Sequence, residues 1–311
     1  MGKTSRRINK KQNTRATSHA CKCGRPAVYL RVQEGAHYCG RCLSGQVERN
    51  FEKTISKEKM IKKGDTVAVG VSGGKDSMTL LYLMQKLSKR VPINIIAITI
   101  DEGIKGYRDR SIKVVEEFVK KAGIEHRTFS YAKEFDVSID DLKDVKHCTY
   151  CGVFRRTLLN KAARAVHADK LAVGHNLDDE AQSVLMNVMR GDIKRMKIPA
   201  KDEKFVERIK PLKNILEKEL VIYAIVNNIS YFDGECPNSF NNVRRDAQRM
   251  INEFESKYPG TKSQIVRFRR GIKIPATSEK LNYCVKCGEP TSHEICKACE
   301  LLESAKAHMK N

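Results

Sequence analysis

The segment Thr66–Ser77 (TVAVGVSGGKDS) sets a β-branched apolar run directly before Ser72, Gly73, Gly74, Lys75, Asp76 and Ser77. Gly73 and Gly74 permit positive φ and turn backbone N–H groups outward, and a helix starting there adds the partial positive charge of its N-terminus. Strand, loop and helix then cradle a phosphate. Ser72, Ser77 and Lys75 supply further donors and a charge, and Gly70, at the end of the run, joins the nucleotide-contacting set. The Walker spacing, two glycines separated by four residues before Lys-Ser/Thr, is absent, which disfavours cleavage of a γ-phosphate.

The cysteines are the second chemical resource: 11 in all, ten of them in close pairs. Cys284-x-x-Cys287 and Cys296-x-x-Cys299 offer four soft ligands on two tight turns, the pattern of a structural zinc site. Cys21-x-Cys23 with Cys39-x-x-Cys42 makes a second zinc set whose first gap is one residue short. His19 or His37 would serve as a substitute ligand, but four cysteines suffice. Cys148-Thr-Tyr-Cys151 has no neighbouring pair, and only Cys236 remains to join it. Three thiols leave a site open, which suits a catalytic metal or an iron–sulfur cluster with one free iron. A redox pair with an inert buried Cys236 is the rival reading.

The hexapeptide SGGKDS resembles the PP-loop of ATP pyrophosphatases, which bind the pyrophosphate of ATP and transfer AMP to a substrate oxygen. Two further segments match that superfamily: Asp101 after the strand ending at Ile100, and Gly174-His175-Asn176-Leu177-Asp178-Asp179 after the strand at 170–173. Both fall at the carboxyl edge of a doubly wound sheet, where ligands bind. A carboxylate there holds Mg²⁺ beside the triphosphate, with Asp179 the first choice and Asp178 the second. The plainer alternative makes Asp178 an N-cap and Asp179 a first-turn residue.

The elements that must position these groups alternate. Apolar β-branched runs at 66–71, 93–100 and 170–174 are separated by helical patterns at 76–90, 109–122 and 152–167, which predicts a parallel sheet covered by helices. Leu80, Leu83, Met84 and Leu87 share one helical face, and Ala181, Val184, Leu185 and Val188 another, both read as core. Helices at 216–228 and 243–257 precede a basic stretch with Lys262, Arg267, Arg269, Arg270 and Lys273. The expected organisation is a basic disordered arm (1–18), an N-terminal zinc finger (19–50), a nucleotide domain with RNA-binding helices toward its end (51–275) and a C-terminal zinc finger (276–311). The fold class is α/β, a doubly wound parallel sheet of the adenine-nucleotide α-hydrolase-like, PP-loop kind flanked by zinc modules.

Charge narrows the partners. Lysine and arginine total 59 against 37 acidic residues, a net +22, well beyond what solubility asks, so a polyanionic nucleic acid is expected. No apolar run approaches a membrane span, and the basic first residues lack the apolar stretch of a signal peptide, so no membrane partner and a cytoplasmic location are expected.

Together these motifs resemble the tRNA 2-thiouridine synthetases of the archaeal and eukaryotic-cytosolic type. That family carries an N-terminal cysteine finger, SGGKDS, Cys-x-x-Cys-Gly-x-x-Arg-Arg (here Cys148–Arg156), Gly-His-x-x-Asp-Asp, a late Cys-Pro (Cys236-Pro237) and a four-cysteine C-terminal finger. The resemblance implies that Cys148, Cys151 and Cys236 hold a [4Fe–4S] cluster whose fourth iron carries sulfide. It implies that Lys75, Asp76 and Asp179 act in catalysis, that Arg155 and Gly174 help hold ATP, and that two Zn²⁺ ions and Mg²⁺ complete the cofactors. It also implies tRNA as partner, a sulfur donor (a ubiquitin-like thiocarboxylate or sulfide) and a homodimer. The implied reaction adenylates the C2 oxygen of a uridine and replaces it with sulfur. Thermolabile residues, with 9 methionines and several asparagines, favour the anticodon wobble uridine over a T-loop uridine that stabilises tRNA against heat. Thiolation of a cytidine and a non-catalytic zinc-finger RNA-binding role are the competing functions.

Overall fold

The computed structural model describes residues 20–142, 147–196, 202–238, 243–272 and 281–309. The basic arm, His19 and Lys273 lie outside them. Chain order begins with a small hairpin, β1 (Tyr29–Arg31) and β2 (Ala36–Tyr38), followed by α1 (Gly40–Lys57). The α/β body runs β3 (Thr66–Gly70), α2 (Lys75–Ser88), β4 (Asn94–Asp101), α3 (Arg108–Ala122), β5 (Glu125–Ser130), α4 (Tyr131–Phe135), α5 (His147–Ala165), β6 (Lys170–Val173) and α6 (Leu177–Met189). It continues through β7 (Glu207–Ile209), α7 (Glu217–Val226), α8 (Val243–Lys257) and α9 (Thr261–Gly271). A second hairpin, β8 (Asn282–Tyr283) and β9 (Pro290–Thr291), and α10 (Lys297–Met309) close the described chain.

The sheet is wholly parallel, ordered β5-β4-β3-β6-β7. Its centre is β3, whose Val67 faces Ile95 on one side and Lys170 on the other. Residue alternation then divides the core. Val67 and Val69 pack with Leu43, Val47 and Phe51 of α1 and Leu80 and Met84 of α2. Ala68 faces the opposite layer, with Phe154 and Leu158 of α5 and Leu301 of α10. Both faces are covered, which is why β3 reads as an unbroken apolar run. From β3 the chain passes to β4 on one side and later to β6 on the other, so a crevice opens at the carboxyl ends of β3 and β6.

The helices and strands expected from periodicity are present with ends shifted by a few residues, and α5 starts earlier, at His147. Two edge strands escape the pattern: β5 (EHRTFS) is polar and half-exposed, and β7 spans three residues. Nor does the pattern reveal α1, which runs without a break across residue 50, carrying cysteines at its start and core residues in its middle. Both cysteine modules are tied to the body by charge. Arg31 and Glu219 pair at 2.7 Å with both side chains buried, and Arg164 of α5 pairs with Glu289. Among the described residues no helix is long and apolar enough to cross a membrane.

Candidate active site

The phosphate loop takes its shape from its own side chains. The Ser72 N–H donates to Ser77 Oγ (3.1 Å), and that hydroxyl donates to the Gly74 carbonyl (2.9 Å). Gly73 sits at φ +85°, and a Cβ there would lie 2.4 Å from the Ser111 carbonyl, so glycine is required both by conformation and by the approach of α3. Gly74 caps α2 without a side-chain hydrogen bond, leaving the positive helix end and its N–H groups directed at the crevice. Gly174 matters for space instead. A Cβ there would meet Ser77 N at 3.1 Å and Asp76 O at 3.2 Å, so its absence lets the β6–α6 loop press onto the start of α2.

The crevice is a cavity of about 450 Å³. Its wall includes Gly70, Ser72, Gly74, Lys75, Asp76, Ser77, Gly174 and Asp179 from the expected set, together with Arg155. The Lys75 ammonium bridges Asp76 (2.8 Å) and Glu217 (3.1 Å). Burial pushes the Asp76 carboxyl up to about 6, against the pull of Lys75. His175 also lines the wall; burial lowers its pKa, and its buried Nδ1 has no hydrogen-bond partner among the described residues. Uncapped N–H groups, an ammonium and an orphaned ring nitrogen fit a nucleotide polyphosphate with a polar base.

The acidic residues separate by environment. Asp178 is buried; its carboxylate pairs with Lys262 of α9 and accepts from the Glu217 N–H at 2.9 Å, so it locks α6, α7 and α9 together and is absent from the cavity wall. Asp179 forms the capping box of α6 with Asn176 and meets Arg244 at 3.1 Å while facing the cavity. Asp101 departs from the sequence expectation. It accepts from the Gly103 N–H at 2.9 Å in its own turn and does not line the cavity, because the next residue, Glu102, turns inward instead.

No sequence motif points to Glu102, yet it is a hub. Buried at the end of β4, it pairs with Arg108 (2.6 Å) and Arg155 (2.8 Å). Arg108 in turn donates to the Ser72 carbonyl at 2.8 Å, and Arg155 donates to Cys151 Sγ at 3.0 Å. Cys148, Cys151 and Arg155 fall at i, i+3 and i+7 of α5 and so share one helix face. The third cysteine arrives on the segment after α7. Cys148 donates to the Asn238 carbonyl (3.4 Å), and the Asn238 N–H bonds the Cys236 sulfur. Upstream on the same segment, the Phe232 N–H donates to the Gly73 carbonyl (2.8 Å), fixing it to the phosphate loop. Cysteines and loop are therefore joined twice, through Glu102 and through Phe232.

Electrostatics place the three cysteines in one neighbourhood, since Cys236 raises the Cys151 thiol and Cys148 raises that of Cys236. Burial is the larger influence, pushing both Cys151 and Cys236 up, while Arg155 pulls them down. Their sulfurs do not gather within 4.8 Å of one another, whereas those of Cys21, Cys23, Cys39 and Cys42 do, as do those of Cys284, Cys287, Cys296 and Cys299. The short first gap of the N-terminal set thus still closes a four-thiol group; His37 lies beside it and is not one of the four. Backbone N–H groups of Cys23 and Cys39 hold the Cys21 thiol at about 6. Both closed sets fit a tetrahedral ion, and the wider three-thiol set fits a polynuclear cluster better than a single zinc.

A parallel sheet with a glycine phosphate loop at its switch point defines a PP-loop nucleotide-binding protein, and residues 43–253 match the family model of the PP-loop domain. The chain is 36% identical to the tRNA 2-thiolation protein NcsA of Haloferax volcanii, over 92% of this chain and 98% of that one. It is 37% identical to the cytoplasmic tRNA 2-thiolation protein 1 of Caenorhabditis elegans, over 90% and 79%. Among solved structures it resembles the U34-tRNA thiolase NcsA from Methanococcus maripaludis with its [4Fe-4S] cluster, at TM-score 0.81 and 34% identity, covering 93% of this chain and 97% of that one. The chain belongs to the tRNA 2-thiolation family of PP-loop proteins.

Proposed function

We propose that the protein is an ATP-dependent tRNA sulfurtransferase that converts the wobble uridine of the anticodon to 2-thiouridine. The observation that carries this reading is Arg155: it lines the nucleotide cavity and donates to Cys151 Sγ at 3.0 Å, so one side chain links the phosphate site to the three-cysteine site. The wobble position follows the solved relative, which acts on U34 of tRNA.

The uridine C2 oxygen is a poor leaving group. Lys75 and the uncapped N-terminus of α2 hold the β- and γ-phosphates, so that this oxygen bonds the α-phosphorus and pyrophosphate departs. Asp179, facing the cavity, is the carboxylate placed to hold Mg²⁺, since Asp178 is committed to Lys262. Sulfur then bonds C2 and the C2–O bond breaks, releasing AMP with the former carbonyl oxygen. Cys148, Cys151 and Cys236 would hold the [4Fe–4S] cluster, which supplies an open iron for sulfide at neutral pH. Arg155, anchored by Glu102, orients Cys151 beside the leaving AMP. The two four-cysteine sets hold structural zinc.

The test is anaerobic reaction of the iron-loaded protein with ATP, sulfide and unmodified tRNA, followed by mass spectrometry of the nucleosides. Wobble 2-thiouridine with stoichiometric AMP and pyrophosphate is expected. A thiolated T-loop uridine or cytidine would overturn the positional assignment, and no thiolated nucleoside would overturn the activity.

A further inference from the structure

A second cavity, of about 520 Å³, lies beside the first cysteine module and shares no lining residue with the nucleotide cavity. Lys22, Arg25, Arg41, Arg49 and His37 face it, and among the described residues no carboxylate does. Lys22, Arg25 and Arg41 form no ion pair among the described residues, unlike much of this molecule's basic surface. The acids of α1 are used elsewhere: Glu48 pairs with Lys86 and Glu52 with Arg90. Arg41 also occupies the first turn of α1, which contains no acidic residue, although a helix N-terminus disfavours a cation.

Gly45 points the same way. Glycine inside a helix is destabilising relative to alanine. Here the missing Cβ would lie 3.3 Å from Arg49 Nη1, so the glycine leaves room for that guanidinium to fold back toward the cavity. Zinc held by four thiolates is doubly negative and offsets two of the four cations. The remaining positive charge still calls for an anion. Guanidinium forks match phosphate oxygens, and contacts of this kind position a nucleic acid without reading its sequence.

We propose that this cavity grips the sugar–phosphate backbone of RNA at a site separate from the nucleotide cavity. The proposal rests on the tRNA reading above and adds a docking surface to it. It is tested on the full chain, purified anaerobically, by filter binding of an unmodified tRNA transcript over a range of KCl concentrations. The variant Lys22→Ala/Arg41→Ala/Arg49→Ala is expected to bind more weakly, with a log–log salt slope shallower by roughly two to three, since each phosphate contact contributes about 0.7 on single strands to about 0.9 on B-form duplex. Zinc content and ATP binding should stay at wild-type values. Arg41→Lys/Arg49→Lys, which keeps the charge, should retain most of the affinity. An unchanged slope in the alanine variant, beside steep wild-type binding, overturns this site and leaves the activity standing. Equal loss in the lysine variant, accompanied by loss of zinc, also overturns it by assigning the arginines to packing. If the wild-type protein itself does not bind the transcript, the tRNA reading falls and the docking site with it.

Discussion

The closed cysteine modules and the three-cysteine site use the same side chain under opposite constraints. In the modules four sulfurs lie within 4.8 Å of one another on short hairpins and helix starts, and backbone N–H groups at those turns stabilise the thiolates. In the third site the sulfurs are spread more widely, two on one face of α5 and one on a distant segment, beside an arginine whose charge is shared with Glu102. Thiol number and surrounding contacts, more than the Cys-x-x-Cys spacing common to both, therefore separate the closed sets from the open one.

Removing a thiol from the open site should have the largest effect. Cys236→Ala is expected to abolish thiolation and lower iron while two zinc ions per chain remain, as read by metal analysis. Full iron and full activity in Cys236→Ala would make Cys148 and Cys151 a redox or persulfide pair instead. Lys75→Ala should come next, reducing pyrophosphate release by about 10²–10³ through loss of a charge on the developing anion. Its tRNA affinity should change by less than about twofold, because Lys75 lies in the nucleotide cavity. Equal losses of affinity and turnover would show that one surface serves both.

Glu102→Gln tests the charge that distinguishes the open site from the closed modules. It leaves Arg108 buried beside a neutral partner, so stability should fall by about 3 kcal/mol in urea unfolding. Glu102→Asp should restore part of the turnover if the carboxylate positions Arg155. The smallest expected effect is at the seam between the two regions, where Tyr150, between the two cysteines of α5, donates to Ser304 Oγ of α10 at 3.0 Å. Ser304→Ala should cost about 1 kcal/mol and leave both zinc and iron in place.

Much of the sheet is legible in the sequence because β3, β4 and β6 are buried on both faces and so are largely apolar through their middles. The edge strands β5 and β7 answer to no such demand, and α1 is obscured because a cysteine of the four-thiol set and core residues share one helix. Within the site, the glycine loop is readable from residue types alone, since Gly73 meets both positive φ and a backbone contact. Asp178 and Asp179, adjacent and chemically alike, can only be ranked from sequence; packing then sends one to Lys262 and the other to the cavity. Glu102 carries no local signal; a lone glutamate after a strand becomes a hub only when α3 and α5 bring two arginines to it.

Residue types over short spans settle which chemistries the chain contains: a phosphate loop, two four-thiol sets and three further cysteines. Which of them meet is a matter of packing between elements far apart in the chain. Cys236 joins Cys148, and Asp101 yields to Glu102, because the parallel crossovers deliver α3, α5 and the segment after α7 to the carboxyl edge of one sheet. Side-chain packing there selects the carboxylate that faces the cavity and sets Arg155 between the cavity and Cys151.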